Sequence, residues 1–194
     1  MVVISVIGAP SVGKSFLVKQ LACLNCKPAF FEGEKGVFPQ EVLKLLNAEK
    51  DSEERFEWIL SRYKETLERA HKISKNGIDC YVDGDILSVE AWLKAEVGDK
   101  SPAVLKRWLE ENNHLRVDKV IILTLPEDKI KDNLVERGRE SEQSDFIYER
   151  ALRIQKACED IAEDNDNVFL VEREDIDFTK GKDLQWIDKN IKKM

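Results

Sequence analysis

The chain has 194 residues, 31 basic and 38 acidic, and a net charge of −7. That length fits one domain with a sizeable core, and with no large cluster of lysines or arginines it lacks the basic face of a general nucleic-acid binder. No apolar run approaches membrane-spanning length, and Met1 leads straight into an apolar strand with no signal-peptide pattern, so the expectation is a soluble cytoplasmic protein with no membrane partner.

Val2, Val3, Ile4, Ser5, Val6 and Ile7 read as a buried strand. Gly8, Ala9, Pro10, Ser11, Val12, Gly13, Lys14 and Ser15 follow and complete the pattern G-x-x-x-x-G-K-[ST]. A helix comes next, with Phe16, Leu17, Leu21 and Ala22 as its expected apolar face. This strand–loop–helix context is what the motif requires. Gly8 and Gly13 let the backbone turn tightly around an anion. Successive N–H groups and the helix N-terminus then point at it. Lys14 reaches the β- and γ-phosphates, and the Ser15 hydroxyl is suited to Mg²⁺. The expected ligands are therefore ATP and Mg²⁺, with residues 8–15 and the adjoining Phe16 as the nucleotide-binding set. The alternative is a glycine-rich turn that binds nothing.

Cys23 and Cys26 form a lone C-x-x-C, and Cys80 and Cys158 stand apart. No second pair or histidine neighbour completes a zinc ligand set, so all four read as reduced cysteines. Pro28, Ala29, Phe30 and Phe31 read as a short buried strand ending at Glu32. A carboxylate at the carboxyl end of a parallel strand beside a phosphate loop is placed for chemistry. The alternative for Glu32 is a surface acid in a turn.

Helical spacing recurs over 38–46 and again over 53–75, where Phe56, Ile59, Leu60, Tyr63, Leu67, Ala70 and Ile73 form the stripe. Glu57 lies at the edge of that stripe, facing either a pocket or solvent. Asn76-Gly77 stops the helix. Residues 78–82 read as the third strand, ending in Asp83, Gly84 and Asp85. Acids there suit Mg²⁺ work, while Asp85 also reads as a helix N-cap. Helices carrying Val89, Trp92 and Leu93, and Leu105, Trp108 and Leu109, precede a central strand over 118–125. Pro126, Glu127 and Asp128 then open a helix. It ends in Glu136, Arg137, Gly138, Arg139, Glu140, Ser141 and Glu142. Arginines at a helix tip suit the charge of a phosphoryl group in transfer, and Gly138 also suits a plain C-cap. A helix over 145–163, a strand over 168–171, a polar loop over 172–182 and a last helix with Leu184, Ile187 and Ile191 complete the chain. Alternating strands and helices give a three-layer α/β fold with a parallel five-stranded sheet and no second domain.

On these residues the chain resembles the deoxynucleoside kinase branch of the nucleoside and nucleotide kinases. The resemblance rests on the loop 8–15, on Glu32, on Phe56-Glu57 and Arg62-Tyr63-Lys64, on Asp83, and on Glu136-Arg137-Gly138-Arg139 with Glu142. It implies a single P-loop kinase domain over 1–194, with sheet order 2-3-1-4-5 and a lid near 137–145. It also implies transfer of the γ-phosphate of ATP to the 5′-hydroxyl of a (deoxy)nucleoside. Under that resemblance Glu32 acts on the acceptor hydroxyl and Lys14, Arg137 and Arg139 act on the phosphates. Glu57, Asp83 and Glu142 join Glu32 around the acceptor, Ser15 and Asp83 hold Mg²⁺, and the loop 172–178, with Glu172, lies against the adenine. A homodimer stays open.

Two departures stand out. Gly84 and Asp85 follow Asp83 where the family carries an arginine, so Asp85 is a second candidate for the role of Asp83. Glu57 stands where the family reads the base with a glutamine, and it accepts but cannot offer an amide pair. Tyr81-Val82-Asp83-Gly84-Asp85, Trp92 and the segment 98–102 also resemble the nicotinamide riboside kinase domain, a second reading of the acceptor, with nucleoside monophosphate kinases third. The reading from another class is a P-loop regulatory ATPase. No Asn-Lys-x-Asp segment marks a GTP switch.

Overall fold

The computed structural model describes residues 1–31, 53–97, 103–138, 144–174 and 176–194. Glu32, Arg139, Glu142 and the expected helix at 38–46 lie outside the described residues.

Five strands form one sheet: β1 (Val3–Gly8), β2 (Ala29–Phe30), β3 (Cys80–Asp83), β4 (Lys119–Thr124) and β5 (Val168–Glu172). All pairings are parallel, and the order is β2-β3-β1-β4-β5, as the resemblance implies. β1 and β4 lie inside the sheet and are covered on both faces, which explains why both are mostly apolar and buried, with Ser5 the buried polar residue of β1.

α1 (Lys14–Asn25) and α7 (Gly181–Lys193) cover one face. α2 (Glu53–Lys75), α3 (Ile86–Val97) and α6 (Asp145–Glu163) cover the other. Two shorter helices, α4 (Ala103–Asn112) and α5 (Glu127–Glu136), complete the described set. The amide of Asn25 ties α1 to both of its neighbours. Its Nδ2 donates to the Tyr81 hydroxyl at 3.0 Å and to Asp188 at 2.9 Å. On the opposite face, Gln155 of α6 pairs its amide with both backbone groups of Leu125, at 2.9 and 2.8 Å, just after β4.

Several sequence expectations need correction. Phe16 does not face the core. It is 42% exposed, while Leu17, Val18, Leu21 and Ala22 form the buried face of α1. Phe16 stands about 100° round the helix from Leu17, off the stripe of Leu17, Val18, Leu21 and Ala22, and it lines the cleft over the loop 8–15. Ile78 is exposed and precedes β3, which starts at Cys80. β2 is only two residues long and half-buried, because it is the outermost strand on its side. The polar loop after β5 has a buried anchor, Phe178. The four cysteines are free, with Cys23 and Cys26 exposed and Cys80 and Cys158 buried. Burial pushes the Cys80 thiol up to about 11 and the Cys158 thiol up to about 12. No described helix is long and apolar enough to cross a membrane.

Register positions the site. Val6 pairs with Asp83, Gly8 with Leu123, and Thr124 with Glu172. The carboxyl ends of β1, β3, β4 and β5 therefore meet at one edge, where open α/β sheets bind ligands.

Candidate active site

The loop 8–15 leaves β1 and enters α1 through three residues of positive φ. Gly8 has φ 144° and Gly13 has φ 97°, as their sequence positions suggest. A Cβ on Gly8 would lie 2.4 Å from the Leu123 carbonyl oxygen, so no other residue fits between β1 and β4 there. Ser11 is the third, with φ 66°, a conformation that costs a non-glycine residue about 1 kcal/mol or more. The Ser11 hydroxyl oxygen is buried and has no hydrogen-bond partner among the described residues.

Gly13 caps α1 without any side-chain bond, and no acid occupies the first turn. Among the described residues no side-chain cap or first-turn acid competes there with an anion for the first N–H groups or for the positive end of the helix. These features fit a bound phosphate group: a glycine-lined turn, an unpartnered buried hydroxyl and an unblocked helix N-terminus.

Lys14 Nζ donates to the Ala9 carbonyl at 2.8 Å, so its ammonium curls back over the loop. Ser15 Oγ donates to Oδ2 of Asp83, which is buried at the end of β3. A hydroxyl and a carboxylate in contact beside a phosphate cradle are hard oxygen donors of the kind Mg²⁺ takes, alongside phosphate oxygens and water. No group of three or more His, Cys, Asp or Glu forms a metal cage among the described residues.

Asp85 takes a different place from Asp83. Its N–H bonds the Ser88 hydroxyl at 3.1 Å and its Oδ1 accepts the Ser88 N–H at 3.2 Å, a reciprocal cap at the start of α3. Its Oδ2 accepts the Ser5 hydroxyl at 2.5 Å beneath β1. The N-cap reading of Asp85 therefore holds. Burial raises its carboxyl to about 6, against the opposing bonds from Ser5, Ser88 and Leu87.

A cleft of about 410 Å³ opens over the loop. Ser11, Gly13, Lys14, Ser15 and Phe16 form its floor, with Asn133, Glu136 and Arg137 from the end of α5 on one wall. Arg137 is exposed at the C-cap of α5, and Gly138 follows at φ 69°. Glu57 lies in the first turns of α2, and its side chain is outside what is described. Glu172 is exposed at the end of β5, and its neighbour Arg173 forms the remaining wall of the cleft.

Arg173 is the residue that sequence reasoning missed. Its Nη1 donates to the Val12 carbonyl at 2.9 Å, and its guanidinium lies 5.0 Å from the centre of the Phe178 ring. Burial lowers its pKa from the ordinary value, with Asp177 opposing. The signal in the sequence was an arginine shortly before two apolar residues, Ile176 and Phe178, in a mostly polar segment at a strand's carboxyl end.

Comparison with solved structures finds this fold in deoxyadenosine kinase and thymidylate kinases. Deoxyadenosine kinase from M. mycoides, solved with dCMP and a flexible dCDP bound, superposes with a TM-score of 0.74 at 18% identity, covering 99% of this chain and 100% of that one. Thymidylate kinase from Ehrlichia chaffeensis gives 0.65 at 16% identity, covering 98% of each chain. Thymidylate kinase from Candida albicans gives 0.63 at 14% identity, covering 99% of this chain and 92% of that one. The expected resemblance thus holds for the fold. A search of curated proteins finds no match. Residues 3–177 match the family model described as an AAA domain, and the chain belongs to that family.

Proposed function

We propose that the protein is an ATP-dependent kinase that transfers the γ-phosphate to the 5′-hydroxyl of a (deoxy)nucleoside. The observation that carries this reading is the convergence on one cleft of the loop 8–15, the Ser15–Asp83 pair and Arg137. The structural neighbours named above support it through their fold.

In this reading the loop amides and Lys14 hold the β- and γ-phosphates of the donor. Lys14 leaves the Ala9 carbonyl to do so. Ser15 ligates Mg²⁺ and Asp83 holds its shell, directly or through water. When bound, Mg²⁺ neutralises charge on the phosphates. Glu32, one residue past the described end of the β2 segment, holds the acceptor hydroxyl and finally takes its proton. Glu57 and Glu142 contact the acceptor. Arg137 and Arg139 close over the phosphates, add positive charge and exclude water. Glu172, the last residue of β5, lies beside the donor base.

The acid pair after β3 divides cleanly in this scheme. Asp83 faces the loop, whereas Asp85 is engaged with Ser5 and Ser88. These bonds favour a capping role for Asp85 and leave the metal shell to Asp83 in this reading.

The family description favours a second reading, an AAA-type ATPase that needs no acceptor. Incubation with Mg²⁺·ATP and a panel of deoxynucleosides, ribonucleosides, nicotinamide riboside and nucleoside monophosphates separates the two. A phosphorylated acceptor supports the kinase, and ADP release indifferent to every acceptor supports the ATPase.

A further inference from the structure

Three side chains hold the outward carbonyls of the phosphate loop. Lys14 bonds Ala9, Asn133 Nδ2 bonds Ser11 at 3.2 Å, and Arg173 bonds Val12. Lys14 must leave its carbonyl to meet phosphates, so among the described side chains Asn133 and Arg173 remain to hold the loop once a donor is bound. Arg173 is rooted more firmly than an ordinary surface arginine. Its backbone N–H donates to Thr124 at 3.0 Å, extending the β4–β5 ladder by one residue. Its guanidinium rests on the buried Phe178, and its tip ends on the loop. The fit is close: a Cβ on Gly13 would stand 2.8 Å from Nη1.

The loop needs such support. Residue 11 is a non-glycine at positive φ, and strain of that kind persists only where the surroundings over-determine it. A loop whose amides are to face inward must also have its carbonyls satisfied on the outside, or they will turn toward other donors. A forked cation pinned by an aromatic ring does this with little loss of side-chain freedom on binding.

We propose that Arg173 is the positioning residue of the phosphate loop, fixing the Val12 carbonyl so that the loop amides are aimed at the phosphates before the donor arrives. The role rests on the nucleotide-binding reading of the loop, and it does not depend on which acceptor is phosphorylated. It also joins the end of β5 to the loop after β1, across the intervening β4.

The test is equilibrium binding of Mg²⁺·ATP and of inorganic tripolyphosphate, without any acceptor, to the wild-type protein, R173A and R173K. A positioning role predicts that R173A raises both dissociation constants by about tenfold and by the same factor, the size of one charge-assisted hydrogen bond. R173K, which keeps the charge but lacks the planar fork, falls between R173A and the wild type. It also keeps the question open should R173A not fold. The proposal is overturned if both variants bind both ligands as the wild type does. It is equally overturned if ATP weakens while tripolyphosphate does not, since Arg173 would then touch only the nucleoside.

Discussion

The Ser15 hydroxyl donates to the Asp83 carboxylate across the carboxyl edge of the sheet, joining the start of α1 to the end of β3. The contact follows from register, because Val6 and Asp83 are paired and the loop 8–15 returns the chain to that same edge. In the proposed reaction Asp83 completes the metal shell beside Ser15. Asp83→Asn should therefore slow transfer in a way that raised Mg²⁺ or added Mn²⁺ partly restores. Glu32→Gln, by contrast, should cost about a hundredfold or more in rate at every metal concentration, as loss of a general base does. Steady-state rates across a metal titration check both, and metal rescue of the Glu32 variant alone would reverse the two assignments.

Arg137 ends α5 at the mouth of the cleft, four residues after Asn133, which is bonded to the loop. A lid built on this helix should act on the transferring phosphoryl group more than on the bound donor. Arg139→Ala should lower the transfer rate by roughly a hundredfold or more and change ATP affinity only a few-fold. Arg137→Ala should act in the same direction. Single-turnover rates set beside binding constants check this, and a double mutant with unchanged rate would remove the lid from the scheme.

Asp85 makes stability depend on pH in a definite direction. Its carboxyl is raised from 3.8 to about 6 in the folded protein, chiefly by burial, with Glu90 adding to the rise. The folded state therefore holds a proton that the unfolded state releases. The stabilisation from that proton is complete below about pH 4 and is lost as pH rises through 6. Asp85→Asn carries no such charge. Its stability relative to the wild type should climb between pH 4 and 6, by up to about 3 kcal/mol, and level off above. Paired denaturation curves at several pH values check the slope, and a pH-independent difference would contradict it.

The legible part of this molecule was its periodic and motif-bearing part. The loop 8–15, the central strands and the parallel α/β layout all follow from local pattern, and Asp83 from its place at a strand's end. Phe16 misled because, apolar and next to Leu17, it reads with the core stripe, whereas the buried stripe is Leu17, Val18, Leu21 and Ala22 and Phe16 faces the cleft. Arg173 was hidden for another reason. Its partner Val12 is 161 residues away, and the β1–β4 and β4–β5 pairings bring them together. Asp85 could be read as a cap, but not as the buried partner of Ser5, since that contact depends on the β1–β3 register.

The central claim is that the cleft over residues 8–15 passes phosphate from ATP to an acceptor, and does not merely hydrolyse ATP. ADP release with Mg²⁺·ATP, measured with and without each member of the nucleoside panel, tests it most directly, with Lys14→Ala as the control. The expected result is slow release without acceptor, release at least tenfold faster with one nucleoside class, a matching 5′-monophosphate product, and loss of both rates in a folded Lys14→Ala protein. Equal ADP release with and without every acceptor, or wild-type turnover by Lys14→Ala, would contradict it.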